Sequence, residues 1–198
     1  MSGTSNAIDP SAGEVALVLV DVQNAFFHPD GENFYPEAQH ILPQLAILLD
    51  AARSGGRLIV HVADVHRPGL ADFESHKLPA HGQSDSFNAQ YFTGFGPPSD
   101  GAPREIGLIK RRFSAFFSTD LDLLLRENGV RRLIVAGVKT NVCVRATIQD
   151  GFGLGYRCLL VGDATNSNRA ELAAAAREDI RRYMGWLSST DDACKVLL

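Results

Sequence analysis

Apolar residues along this chain follow two periods. Val15-Ala-Leu-Val-Leu-Val20 is an unbroken apolar run, as expected of a central strand buried on both faces. Arg57-Leu-Ile-Val-His-Val62, Ile106-Gly-Leu-Ile-Lys110, Leu133-Ile-Val-Ala136 and Cys158-Leu-Leu-Val161 repeat the pattern, with a short strand near Trp186-Leu-Ser188. Between them the spacing turns helical. Ile41 to Ala52 runs into the stop Gly55-Gly56. Asp120 to Glu127 follows Ser118 or Thr119 as N-cap and ends at Gly129. Further helices are expected from near Asn141 to about Leu154, over the alanine-rich Arg169 to Tyr183, and at the C-terminus. Strands alternating with helices predict an α/β fold with a parallel sheet covered on both faces.

Two stretches break the rhythm. Residues 26–36, rich in Pro, Gly, Asn and aromatics, read as a loop, and residues 1–13 as a loose polar arm. Residues 64–104 hold half of the histidines and most of the prolines, with little periodicity. A segment that long is usually functional, and it is expected to form a flap over the active site. With 198 residues the whole chain, 1–198, is expected to be one domain.

Composition narrows the function. A net charge of −4 leaves no electrostatic footprint for nucleic acid or an anionic membrane. No apolar run nears the roughly 18 residues of a membrane span. The N-terminus lacks the charged and apolar regions of a signal peptide. Three cysteines without motif spacing argue against a disulfide framework. A cytoplasmic location is the expectation.

Three polar residues stand at or just beyond strand ends: Asp21, Lys110 and Cys143. In a parallel sheet such ends share one edge, where ligands bind. Cys143 at a helix start could be a nucleophile, its thiolate favoured by the helix and by Lys110, with Asp21 as the base. The plainer alternative is an Asp–Lys ion pair beside an inert thiol. Gly151-Phe-Gly-Leu-Gly155 leads from a helix into a strand, the reverse of a dinucleotide loop.

Four blocks are similar to the isochorismatase-like cysteine hydrolases, which include nicotinamidases, N-carbamoylsarcosine amidase, ureidoacrylate amidohydrolase and biuret hydrolase. They are Leu17-Val-Leu-Val-Asp-Val-Gln-Asn24, Lys110-Arg-Arg-Phe-Ser-Ala-Phe116, Gly137-Val-Lys-Thr-Asn-Val-Cys-Val144 with Thr147, and Leu159-Leu-Val-Gly-Asp-Ala-Thr165. The resemblance implies a three-layer sandwich around a six-stranded, mostly parallel sheet, with Asp21, Lys110 and Cys143 as the catalytic triad. It implies a cis Val138–Lys139 peptide whose Lys139 N–H, with that of Cys143, faces the oxyanion. Val138, Lys139, Asn141, Gln23, Phe26 and Arg67 complete the expected substrate- and oxyanion-binding set. Lys139 departs from the smaller residues common in relatives, and its side chain is expected to reach solvent rather than an anionic substrate.

The expected reaction is hydrolysis of an amide or ureido C–N bond in a small molecule through a thioester, by a homo-oligomer of two or four chains. His66-Arg-Pro-Gly-Leu-Ala-Asp72 followed by Lys77 resembles biuret hydrolase-type relatives, with Arg67 as a clamp. Asp64-Val-His66 also resembles the metal motif of nicotinamidases, with His76 or His81 as third ligand. The tryptophan-histidine-proline context is missing, so no metal and no other cofactor are expected. The competing classes are a metal-assisted amidase, a non-catalytic scaffold member of the fold, and a thiol redox protein lacking its second cysteine.

Overall fold

The computed structural model describes residues 13–198; the expected N-terminal arm lies almost wholly outside the described residues. Six parallel strands form one sheet in the order β3-β2-β1-β4-β5-β6. They are β1 (Glu14–Val20), β2 (Leu58–Asp64), β3 (Glu105–Lys110), β4 (Val130–Val138), β5 (Arg157–Asn166) and β6 (Trp186–Ser188). The helices are α1 (Asn24–Phe27), α2 (Leu42–Ser54), α3 (Leu121–Glu127), α4 (Arg145–Gly153), α5 (Ala170–Tyr183) and α6 (Thr190–Leu197). No helix among the described residues is long and apolar enough to cross a membrane.

The unbroken apolar run of β1 serves two cores. Val15, Leu17 and Leu19 pack with α2 and α6 through Leu45, Leu48, Ala193 and Leu197. Ala16, Val18 and Val20 pack with α3, α4 and α5 through Leu121, Leu125, Ile148 and Ile180. Successive strand side chains point to opposite faces, so a strand covered on both sides shows no alternation. This is the three-layer sandwich the sequence implies.

From β1 the chain builds outward to β2 and β3, then returns to place β4 against the other side of β1. The order reverses between β1 and β4, and a crevice at such a switch point is where open α/β sheets bind ligands.

Several boundaries depart from expectation. The helix anticipated from Asn141 begins as one π-type turn, Thr140–Val144, and turns α-helical only at Arg145. β5 runs to Asn166, well past Val161, because its pairing with β4 shifts register across Gly162-Asp163 and resumes at Thr165; the polar interruption hid the second half. The loop of residues 26–36 starts with the last two residues of α1. Asp120 holds the N-cap position of α3 without a side-chain bond, while Thr119 Oγ1 accepts from Leu121 N–H at 3.3 Å.

Gly137 lies opposite Val20 at the switch point, with φ +112°. A Cβ there would stand 2.1 Å from the Val20 carbonyl oxygen. Only glycine permits this approach and this φ. Gly137→Ala is therefore expected to destabilise the protein by about 3 kcal/mol or more, read as a lower urea midpoint at unchanged slope.

Candidate active site

β1 ends at Asp21, whose φ of +54° is a left-handed conformation that aspartate tolerates better than most residues. β4 ends in the cis Val138–Lys139 peptide, and the π-type turn then carries Cys143. Thr140 Oγ1 pairs with Thr165 Oγ1 at 2.8 Å, tying this turn to β5. Lys110 comes from the end of β3, two strands from β1, and its register partner on β2 is Asp64. A lysine stem is long enough to reach past β2. The Nζ lies 3.0 Å from Asp21 Oδ2, 3.4 Å from Asp64 Oδ1 and 3.6 Å from Cys143 Sγ. Asp21 and the Cys143 sulfur thus share one ammonium. Three side chains remote in sequence meet as the strand ends suggest.

Burial dominates the charges. It pushes the Asp21 carboxyl up to about 6 against the pull of Lys110. It pushes the Cys143 thiol well above its usual value, Asp21 adding to the rise and Lys110 opposing it. Burial alone would lower Lys110, but Asp21, Cys143 and Asp64 hold it raised and charged. Burial, with the Asp21 carboxylate beside it, therefore favours the neutral thiol over the depressed one expected of the sequence.

Cys143 lines a cavity of about 770 Å³. Phe26, Asp64, Lys139 and Asn141 share it with Leu78 to His81 of the 64–104 segment. That segment is stitched down: Asn24 N–H donates to Gln90 O at 2.9 Å and Phe92 N–H to Val22 O at 2.9 Å. Gln23 is a fastener. Its amide donates to Ala89 O at 2.9 Å and accepts from Asp64 N–H at 2.8 Å, so it is not positioned for substrate. Arg67 lines a separate cavity with Arg111 and Arg112, away from Cys143. Arg67 also lines a smaller cavity with His66, Glu74 and His81, and does not line that of Cys143. Val138 is buried beneath the turn.

A second cluster adjoins the first. The ligand-type atoms of Asp64, His66 and His81 lie within 4.8 Å of one another. Glu74 Oε2 is 3.9 Å from His66 Nε2 and 3.7 Å from His81 Nε2. Asp72 Oδ2 holds His66 Nδ1 at 2.6 Å, turning Nε2 toward the other donors. Among the described residues, nine buried side-chain N or O atoms lack an aligned hydrogen-bond partner. Six of the nine belong to Asp21, Asp64, His66, Glu74 and Asn141. Such groups usually find partners, so their concentration here marks a site built for something besides packing.

The isochorismatase-domain sequence model matches residues 15–192. The chain belongs to the isochorismatase family. Its fold is similar to an isochorismatase family protein from Desulfovibrio vulgaris, at 30% identity and TM-score 0.82 over 93% of this chain and 98% of that one. N-carbamoylsarcosine amidase from Thermoplasma acidophilum is 26% identical, with TM-score 0.80 over 90% and 97%. Pyrazinamidase of Pyrococcus horikoshii in complex with zinc is 28% identical, with TM-score 0.78 over 89% and 99%.

In this isochorismatase-family hydrolase the second cluster fits a divalent cation. It offers two imidazoles and a carboxylate, with Glu74 beside them; Asp64 Oδ1, His66 Nε2 and Glu74 Oε2 lack aligned hydrogen bonds and meet only as ion pairs. The cluster also favours positive charge: hydrogen bonding to Asp64 raises His66, and raises His81 to about 9. The sequence leads one to expect a metal-free site; the donor set itself suits a cation. His81 is the third member of the cluster; His76 is not in it. Glu74 and Asp72 were missed because the flap has no periodicity. Their one local signal is a side-chain turn in which Asp72 accepts from Glu74 N–H.

A base must be ionised to take a proton. With Asp21 as the base and its pKa pushed up to about 6, activity is expected above that pH and is expected to be lost below it. The acid limb of kcat/KM is expected near pH 6, falling about tenfold per pH unit. A limb near pH 4, measured in a stopped ammonia assay, would contradict this.

Proposed function

We propose that this hydrolase cleaves the C–N bond of a small amide or ureido compound through a thioester on Cys143. The carrying observation is the buried Lys110 ammonium, 3.0 Å from Asp21 and 3.6 Å from the sulfur, in a site opening on a cavity of about 770 Å³.

Asp21 takes the thiol proton as the sulfur bonds to the carbonyl carbon. Negative charge then passes from the carboxylate to the carbonyl oxygen, and the main-chain N–H groups of the Lys139–Cys143 turn are the nearby donors for it. Collapse of this adduct breaks the C–N bond while Asp21 returns the proton to the departing nitrogen. Ammonia or an amine leaves. Water then attacks the thioester as Asp21 accepts its proton, and when the S–C bond breaks Asp21 returns that proton to the sulfur, restoring thiol and carboxylate. Lys110 keeps its proton throughout and offsets whichever neighbour is anionic. A thiol protonated at rest suits this sequence, because its proton moves only when a carbonyl is in place.

Asp64, His66 and His81, with Glu74 beside them, favour a metal-assisted form of the same reaction. Asp64 and His81 line the cavity of Cys143. These side chains would hold a divalent cation, which would supply Lewis acidity toward a carbonyl or a water.

Cys143→Ala and Cys143→Ser are each expected to lower turnover at least about a thousandfold with the thermal midpoint nearly unchanged. Acid-quenched wild type should carry an acyl adduct on Cys143 by mass spectrometry; full activity in either variant would reject the thioester route. Protein prepared without chelators should hold about one divalent metal per chain. His81→Ala should weaken its binding at least about tenfold. Absence of stoichiometric metal would leave the metal-free route.

A further inference from the structure

Lys139 is half-buried and lines the cavity that Cys143 opens on. Its ammonium rests 5.8 Å from the centre of the Phe26 ring and 5.6 Å from that of Tyr35. The sequence leads one to expect this side chain in solvent; two aromatic faces hold it in the site instead. Those rings are fixed. Phe26 and Tyr35 are buried, and the Tyr35 hydroxyl donates to Asn166 Oδ1 at 2.8 Å.

Of the basic side chains lining this cavity, His81 faces Asp64 and Glu74, and Arg145 faces Asp179 at 3.6 Å. Lys139 has no carboxylate within 4.0 Å among the described residues. Burial lowers its pKa, so the charge is held at a cost. Glu32 also lines the cavity, but one of its oxygens is engaged by Gly82 N–H at 2.7 Å. A half-buried cation without a counter-charge, one turn from the nucleophile, is the arrangement that an anionic substrate group would complete.

We propose that Lys139 selects substrates carrying a carboxylate a few bonds from the scissile amide or ureide, binding that carboxylate while Cys143 attacks the carbonyl. The proposal rests on the amidohydrolase reading and names its substrate class. Lys139 and Cys143 lie on one short turn, so the two groups must be close together in the substrate. Half-acid amides of short dicarboxylic acids and N-carbamoyl amino acids fit. Uncharged amides leave the ammonium unpaired.

The test uses two pairs of compounds in which a methyl group replaces the carboxylate: succinamate against butyramide, and N-carbamoylglycine against ethylurea. Wild type should prefer each carboxylate in kcat/KM for ammonia release. Lys139→Met, which keeps the stem and removes the charge, should reduce that preference about 10- to 100-fold, mainly through KM. Lys139→Arg should retain most of it, which separates lost charge from lost folding. Calorimetry on Cys143→Ala protein gives a readout independent of turnover. Succinamate should bind more weakly as salt rises, and more weakly again, by the same factor, when Lys139→Met is added.

No preference for the carboxylates, or an equal dissociation constant with and without Lys139, overturns the proposal. Ammonia released only from the uncharged members would overturn it and leave the amidohydrolase reading standing. Binding that depends on Lys139, without ammonia from any compound, would sink the amidohydrolase reading and keep the carboxylate site.

Discussion

A protonated lysine with no access to solvent organises the whole catalytic edge. Removing an ammonium from water costs several kcal/mol even after relaxation. Lys110 is tolerated only because Asp21 and Asp64 lie 3.0 and 3.4 Å away. The same cation makes the chemistry workable. Burial would otherwise leave a neutral acid beside a neutral thiol; with the ammonium fixed between them, one negative charge can move from carboxylate to sulfur without leaving the cation's reach. The three groups titrate as a set.

Asp64 joins two halves of the site. Its carboxylate touches Lys110 on one side and the imidazoles of His66 and His81 on the other. Gln23, two residues beyond Asp21 in sequence, fixes the Asp64 backbone and the flap together. Triad, histidine cluster and cavity wall are therefore positioned by one hydrogen-bonded layer above the ends of β1 and β2, and a shift in any of them is felt by the others.

The sheet and the triad were largely legible in the sequence. Strands buried on both faces write themselves as unbroken apolar runs, and the polar residue ending each run marks the sheet edge where ligands gather. Asp21 and Lys110 stand out for this reason. Cys143 was legible by position but not in its charge state, since burial overrides the polarity of a nearby helix. Arg67 and Gln23 mislead in opposite ways. Arg67 sits in a suggestive segment but does not line the cavity of Cys143; Gln23 stands two residues from Asp21 yet spends its amide on backbone.

What the amino-acid order determined by itself was everything governed by short-range pattern: which segments are strands or helices, which residues end the strands, and, with the parallel crossovers of an α/β chain, that Asp21, Lys110 and Cys143 share an edge. Only tertiary structure decided what depends on contacts across tens of residues without periodicity. It brought His81 and Glu74 of the flap to Asp64, left Arg67 out of the Cys143 cavity, and held Lys139 between Phe26 and Tyr35. Those placements follow from where an irregular segment is stitched to the strand ends, and hydrophobic periodicity carries no information about such stitching.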